Sequence, residues 1–74
     1  MLKANIKLNT VDKVKAFVKL TESLDAEMDL VSGRYVIDAK SLMGIFSLDL
    51  SKPIEFVIHS DDNSLLDKFE TFKA

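Results

Sequence analysis

The sequence predicts an α+β fold, an open-faced sandwich with one four-stranded antiparallel sheet and three helices on one of its faces. Three observations lead there. Apolar and polar residues alternate over residues 2–8, 25–30 and 54–58, where a period of two marks half-buried strands, and 26–38 reads as a hairpin about Ser32-Gly33. Stripes of helical spacing fall between and after these segments. The helices are too few to cover both faces of a sheet, so one face is left open. The resulting order is β-α-β-β-α-β-α within one domain spanning residues 1–74.

Each element has its own signal. Leu2, Ala4, Ile6 and Leu8 alternate with Lys3, Asn5, Lys7 and Asn9, the first strand. Asn9 or Thr10 then offers a side-chain oxygen to the free amides of a helix start, and Asp12 suits the positive end of the helix dipole. Val11, Val14, Phe17, Val18 and Leu24 form the apolar stripe of that helix, with Lys13, Lys15, Lys19 and Glu22 largely outside it. Ala26, Met28 and Leu30 alternate with acidic residues as a second strand. Ser32-Gly33 is a tight turn, because Gly33 can take positive φ, and Arg34 to Asp38 returns as a third strand at an expected sheet edge. Ser41 to Leu48 reads as a short apolar helix capped by Ser41. Pro53 opens the fourth strand, which carries Ile54, Phe56 and Ile58. Asp61 or Asp62 caps a last helix whose stripe is Leu65, Leu66, Phe69 and Phe72.

Composition excludes several functions. The 74 residues include no cysteine, so there is no disulfide framework, thiolate metal site or cysteine nucleophile. Without staples, the apolar core must supply nearly all the stability. The sole histidine, His59, ends the fourth strand opposite the Ile54/Phe56/Ile58 row and reads as a partly exposed strand residue. Gly33 and Gly44 stand alone, so no glycine-rich phosphate loop exists. Asp61 and Asp62 at a helix start read as a cap and a dipole complement rather than a catalytic pair. No base, nucleophile and anion hole come together, so the chain is not expected to be an enzyme, and no metal or cofactor is implied. Ten basic and twelve acidic residues are mixed along the chain, which argues against direct nucleic-acid binding. No apolar run approaches the ~18 residues of a membrane span. Charges spaced through Met1–Lys7 are unlike a signal peptide, and a cytoplasmic location is expected.

The segment from Ala39 to Leu48 stands out. Leu42, Ile45 and Phe46 can share one helix face, and Met43 then points elsewhere. Such a helix is a candidate docking surface, or else part of a small core that uses every apolar residue. This segment, Ala39-Lys40-Ser41-Leu42-Met43-Gly44-Ile45-Phe46-Ser47-Leu48, resembles the regulatory-serine segment of HPr, the phosphocarrier of the bacterial phosphoenolpyruvate-dependent sugar phosphotransferase system. Asp25 to Leu30, followed by Ser32-Gly33, is similar to the second strand and turn of HPr, and the HPr element order is the one derived above.

The resemblance implies an HPr-like member that has lost its carrier chemistry. HPr carries its phosphoryl group on a histidine in a loop before the first helix, with an arginine two positions on. Aligned on that pattern, the histidine position falls on Thr10 and the arginine position on Asp12, and the loop is shorter by about five residues. Threonine has no imidazole for a labile phosphoramidate, and the Asp12 carboxylate would repel a phosphoryl group. By the same resemblance Ser41 is a regulatory phosphoacceptor, as in a histidine-less, Crh-like member. Lys40, Leu42, Met43, Phe46 and Leu48 are the expected partner-binding residues, with Met43 exposed and Ile45 in the core. The implied partners are an HPr kinase/phosphorylase and a catabolite-control-type regulator, with the protein itself a monomer or weak dimer. The alternative is an interaction module of the same fold, in which Ser41 is only a helix cap.

Overall fold

The computed structural model covers residues 1–74. The expected strand segments become four strands: β1 (Leu2–Ile6), β2 (Met28–Ser32), β3 (Tyr35–Asp38) and β4 (Ile54–Ile58). They form one antiparallel sheet in the order β1-β4-β2-β3. The three α-helices are α1 (Val11–Glu22), α2 (Leu42–Phe46) and α3 (Asn63–Asp67), followed by a 3-10 turn over Glu70–Phe72. No helix is long and apolar enough to cross a membrane.

Register decides which side chains share a face. Ile6 lies opposite Ile54, Ala4 opposite Phe56 and Leu2 opposite Ile58, while Leu30 and Met28 meet Phe56 and Ile58 from the other side of β4. Of these, all but Ala4 belong to or pack on one core with Val14, Phe17, Val18, Ile45, Phe69 and Phe72 from the helical layer. The opposite face carries Lys3, Asn5, Glu55, Val57, Asp29, Val31, Val36 and Asp38 and has no helix over it. Four of the five phenylalanines make the centre of the core. Phe17 sits edge-on to Phe56 at 5.1 Å and to Phe72 at 5.5 Å, and Phe56 sits edge-on to Phe69 at 4.7 Å. Edge-to-face contacts of this kind add to the burial energy of the rings.

Several expected boundaries move. The first strand ends at Ile6 rather than Leu8. The next residue, Lys7, falls opposite Pro53, one position before β4 begins, and in the alternation of the ladder its N–H points away from β4. Lys7 N–H donates instead to the Phe72 carbonyl (2.8 Å), Ala74 N–H donates to Asn5 (3.0 Å), and Ile6 bridges Lys73. Leu8 is nevertheless buried. Val11 does not join the buried stripe of α1, which starts at Val14 and includes Thr21. The second strand starts at Met28 rather than Ala26, the third at Tyr35 because Arg34 is in the turn, and α2 stops at Phe46. The single last helix expected through Phe72 is two pieces. Bonds from Leu65, Lys68, Phe69, Phe72 and Lys73 to the carbonyl three residues back tighten the chain. That tightening turns Phe72 onto Phe17 and brings Lys73 beside Ile6.

Candidate functional site

The start of α2 is built from three local devices. Ser41 has extended backbone angles, and its Oγ accepts the Gly44 N–H at 3.1 Å, the geometry of an N-cap. Asp38 shapes the approach: its Oδ1 accepts the Lys40 N–H at 2.8 Å, and its carbonyl accepts the Ser41 N–H at 3.0 Å. Thr21, fully buried on α1, donates its hydroxyl toward the carbonyls of Val18 (2.9 Å) and Ala39 (3.2 Å). That second contact ties the turn before Ser41 to α1. Gly44 keeps the cap open, since a Cβ there would stand 3.0 Å from the Ser41 Oγ and 3.4 Å from the Ile37 Cδ1.

α2 buries only Ile45 completely. Leu42 and Phe46 are 39% and 43% exposed, and Met43 is 86% exposed. Phe46 is the one phenylalanine outside the aromatic core. Leu48 behaves differently from these three. It is half-buried against the core and lines a shallow depression shared with the β2–β3 turn, Lys52 and Pro53. Neither Thr10, Asp12 nor Ser41 lines that depression. Lys40 directs its ammonium at the Leu24 carbonyl, 2.9 Å away, where it holds the chain leaving α1.

Thr10 caps α1, its Oγ1 accepting the Lys13 N–H at 3.1 Å, and Asp12 is exposed in the first turn. His59 is far from both along the sheet. The end of β1 meets the start of β4 at Ile6–Ile54, whereas His59 follows Ile58, the partner of Leu2. His59 Nε2 lies 2.6 Å from Asp29 Oδ2 on the open face, with both side chains one-third exposed. The adjacent aspartates part company as well. Asp62 caps α3 through the Ser64 N–H (3.0 Å), and Asp61 holds the terminal ammonium of Met1 (2.8 Å). Hydrogen bonds from the Ser64 hydroxyl and amide keep the Asp62 carboxyl below the usual carboxylate range, and the ammonium does the same for Asp61.

No protein-family model and no curated protein sequence matches this chain. Solved structures do. HPr-C-His from Thermoanaerobacter tengcongensis superposes with a TM-score of 0.72 at 24% identity, over 95% of this chain and 90% of that one. The phosphocarrier protein HPr from Bacillus anthracis str. Ames gives 0.73 at 20% identity, over 99% and 94%. The chain has the HPr fold. Within the HPr fold, the α1 start occupied by Thr10 and Asp12 and the α2 start occupied by Ser41 are separate sites, each with its own cap.

Sequence reasoning passed over two residues. Thr21 lies four residues after Phe17 and three after Val18, on the same helical row, and a stripe counted from apolar residues alone omits it. Val57 is buried on the open face of the central strand, between Lys3 and Asp29 in register. A centre position in a four-stranded sheet was its only signal.

Proposed function

We propose that this protein is an HPr-like regulatory protein of the phosphotransferase system, switched by phosphorylation of Ser41 and without phosphocarrier activity. The observation that carries this reading is what stands at the two helix starts. At one, Thr10 caps α1 where a carrier needs an imidazole, with the carboxylate of Asp12 beside it. At the other, a serine begins a helix whose Leu42, Met43 and Phe46 remain exposed.

The mechanism is a charge switch. Phosphorylation adds roughly one and a half to two negative charges where the first-turn amides of α2 have no intrahelical partners. The Ser41 Oγ then exchanges its bond with Gly44 N–H for phosphoryl oxygens that can accept from those amides, and Gly44 supplies the room. An arginine-bearing regulator of the catabolite-control type would read the phosphate, with Leu42, Met43 and Phe46 as the apolar part of the contact. Lys40 contributes only by leaving the Leu24 carbonyl.

The test is intact-mass spectrometry in two reactions, one with ATP and an HPr kinase/phosphorylase, the other with Enzyme I and phosphoenolpyruvate. An adduct in the first alone, mapped to Ser41, is the expected result, and Ser41→Asp should then bind the regulator more tightly than Ser41→Ala. Stable label from Enzyme I would overturn the loss of carrier activity.

A second reading is favoured by one observation, the 86% exposure of Met43. In it, α2 docks a protein partner with no phosphorylation at all. No adduct in either reaction, with Met43→Asp abolishing partner binding and Ser41→Ala leaving it intact, would select this reading.

A further inference from the structure

β3 closes one side of the sheet with no strand beyond it. Edge strands normally carry a safeguard against pairing, such as a lysine, a proline or a bulge. The opposite edge has two: residues 72–74 lie along the end of β1, and Lys3 stands on the rest. β3 reads Tyr35-Val36-Ile37-Asp38 and has neither, and Tyr35 and Val36 are 69% and 64% exposed.

The backbone of β3 is poised to bond outward. Gly33 has φ +58 and Arg34 does not share the positive sign, so the two-residue turn has the type II′ pattern and closes on the Ser32–Tyr35 pair. From that pair, residues alternate between facing β2 and facing away. Tyr35 and Ile37 therefore bond to β2, and the Ala39 N–H to Met28 carbonyl bond (3.0 Å) continues the same phase. Val36 presents its N–H and C=O to solvent, and Asp38 presents its N–H.

Charge supplies the partner. Asp38 lies directly opposite Asp29 in the register, a like-charge pair, and Asp29 is taken by His59. Asp38 has no cation in ion-pair contact, and neither does Arg34 have an anion, the ion pairs of the fold being those of Met1, His59 and Lys73. Arg34 and Asp38 are four residues apart on an extended segment, roughly 13 Å, too far to meet within one chain.

We propose that β3 is a self-pairing edge, on which two copies of this chain join antiparallel about Val36 to form one eight-stranded sheet. Val36 of each copy exchanges two backbone hydrogen bonds with Val36 of the other, and Tyr35 packs across from Ile37. The Arg34 of each copy comes beside the Asp38 of the other, so both unpaired charges are answered twice. The two-fold axis stands perpendicular to the sheet, which keeps both helical layers on the same face and leaves α2 free. Only a few residues a side take part, far below the area of a permanent interface, so the dimer is weak, with Kd about 100 μM.

Sedimentation velocity on the full chain from about 20 μM to about 1 mM tests this, and a concentration-dependent monomer–dimer shift is expected across that range. Val36→Pro removes the outward N–H without touching the β2 ladder and should leave a monomer with an unchanged circular dichroism spectrum. Arg34→Glu and Asp38→Arg should each weaken association by about tenfold or more, and mixing the two should restore it, because both cross pairs become opposite in charge again. Should the Asp38→Arg variant fold poorly, Arg34→Glu and Val36→Pro alone still decide. A wild-type chain monomeric at 1 mM overturns the proposal. So does a dimer insensitive to Val36→Pro, or one that depends instead on Met43.

Discussion

Two hydroxyl oxygens, Thr10 Oγ1 and Ser41 Oγ, begin α1 and α2 by the same bond, to the amide three residues on. Replacing either by alanine should lower stability by about 1 kcal/mol in urea denaturation, the usual worth of a cap. Ser41→Asp should keep most of it, since aspartate caps as well. Ser41 was legible in the sequence as a cap, because a cap is a local device read within four residues, whereas at α1 Asn9 and Thr10 were equal candidates and the structure gives the role to Thr10. Gly44 makes Ser41 more than a cap. In the wild type, Gly44→Ala gains helix propensity of about 1 kcal/mol but presses its Cβ on the hydroxyl 3.0 Å away. In a Ser41→Ala background that hydroxyl is gone, so Gly44→Ala should be more favourable there. A double-mutant cycle measures the difference, and strict additivity would contradict the close approach. Thr21→Val should cost about 1–3 kcal/mol, because it leaves the Ala39 carbonyl buried without its donor. A tertiary hydrogen bond of this kind has no signature in the sequence. Thr21 is 18 residues from Ala39.

At the scale of elements, α2 and the C-terminal segment use phenylalanine in opposite ways. Phe69 is fully buried against Phe17 and Phe56, and Phe69→Ala should cost about 3–5 kcal/mol. Phe46, 43% exposed, should cost much less on truncation, and comparing the two urea midpoints checks the assignment of α2 as a surface element. β1, β2 and β4 were legible because period two survives any tertiary context that buries one face, and β3 because the Ser32-Gly33 turn sends the chain back along β2. Their ends were not. β1 stops where Pro53 ends its partner, a fact of register rather than of the Leu2–Leu8 pattern. The last helix was misread for a related reason: the spacing of Leu65, Phe69 and Phe72 fits an α-helix and an α-helix followed by a 3-10 turn equally well, and the bridge to β1 decides between them. For the candidate site, Met43 and Ile45 separate as expected into exposed and buried, whereas Lys40 is bonded to Leu24 and Leu48 sits in the margin of the core.

For the whole molecule, surface charge sets the pH window. The Asp49, Asp61 and Asp62 carboxyls all lie below the ordinary value of 3.8, held there first by hydrogen bonds from Ser51, the Met1 ammonium and Ser64 respectively. A carboxyl with a depressed folded-state pKa contributes stability above its unfolded value and loses it as the pH falls through the folded one. Lys73 lies above its ordinary 10.5, mainly through the Glu70 hydrogen bond, and its contribution is lost as the pH rises through the folded value. Melting temperature should therefore fall below about pH 4 and again in strong alkali. Asp62→Asn should flatten the acid limb in thermal melts followed by circular dichroism.

The unequal edges of the sheet have a consequence for assembly size. Residues 72–74 occupy one edge and leave β3 as the other. A particle with one sticky side has a valency of one: once two copies meet, the product has nothing left to offer a third. The cover that residues 72–74 and Lys3 give β1 therefore acts as a chain terminator, holding such an assembly at a closed pair rather than a growing ribbon.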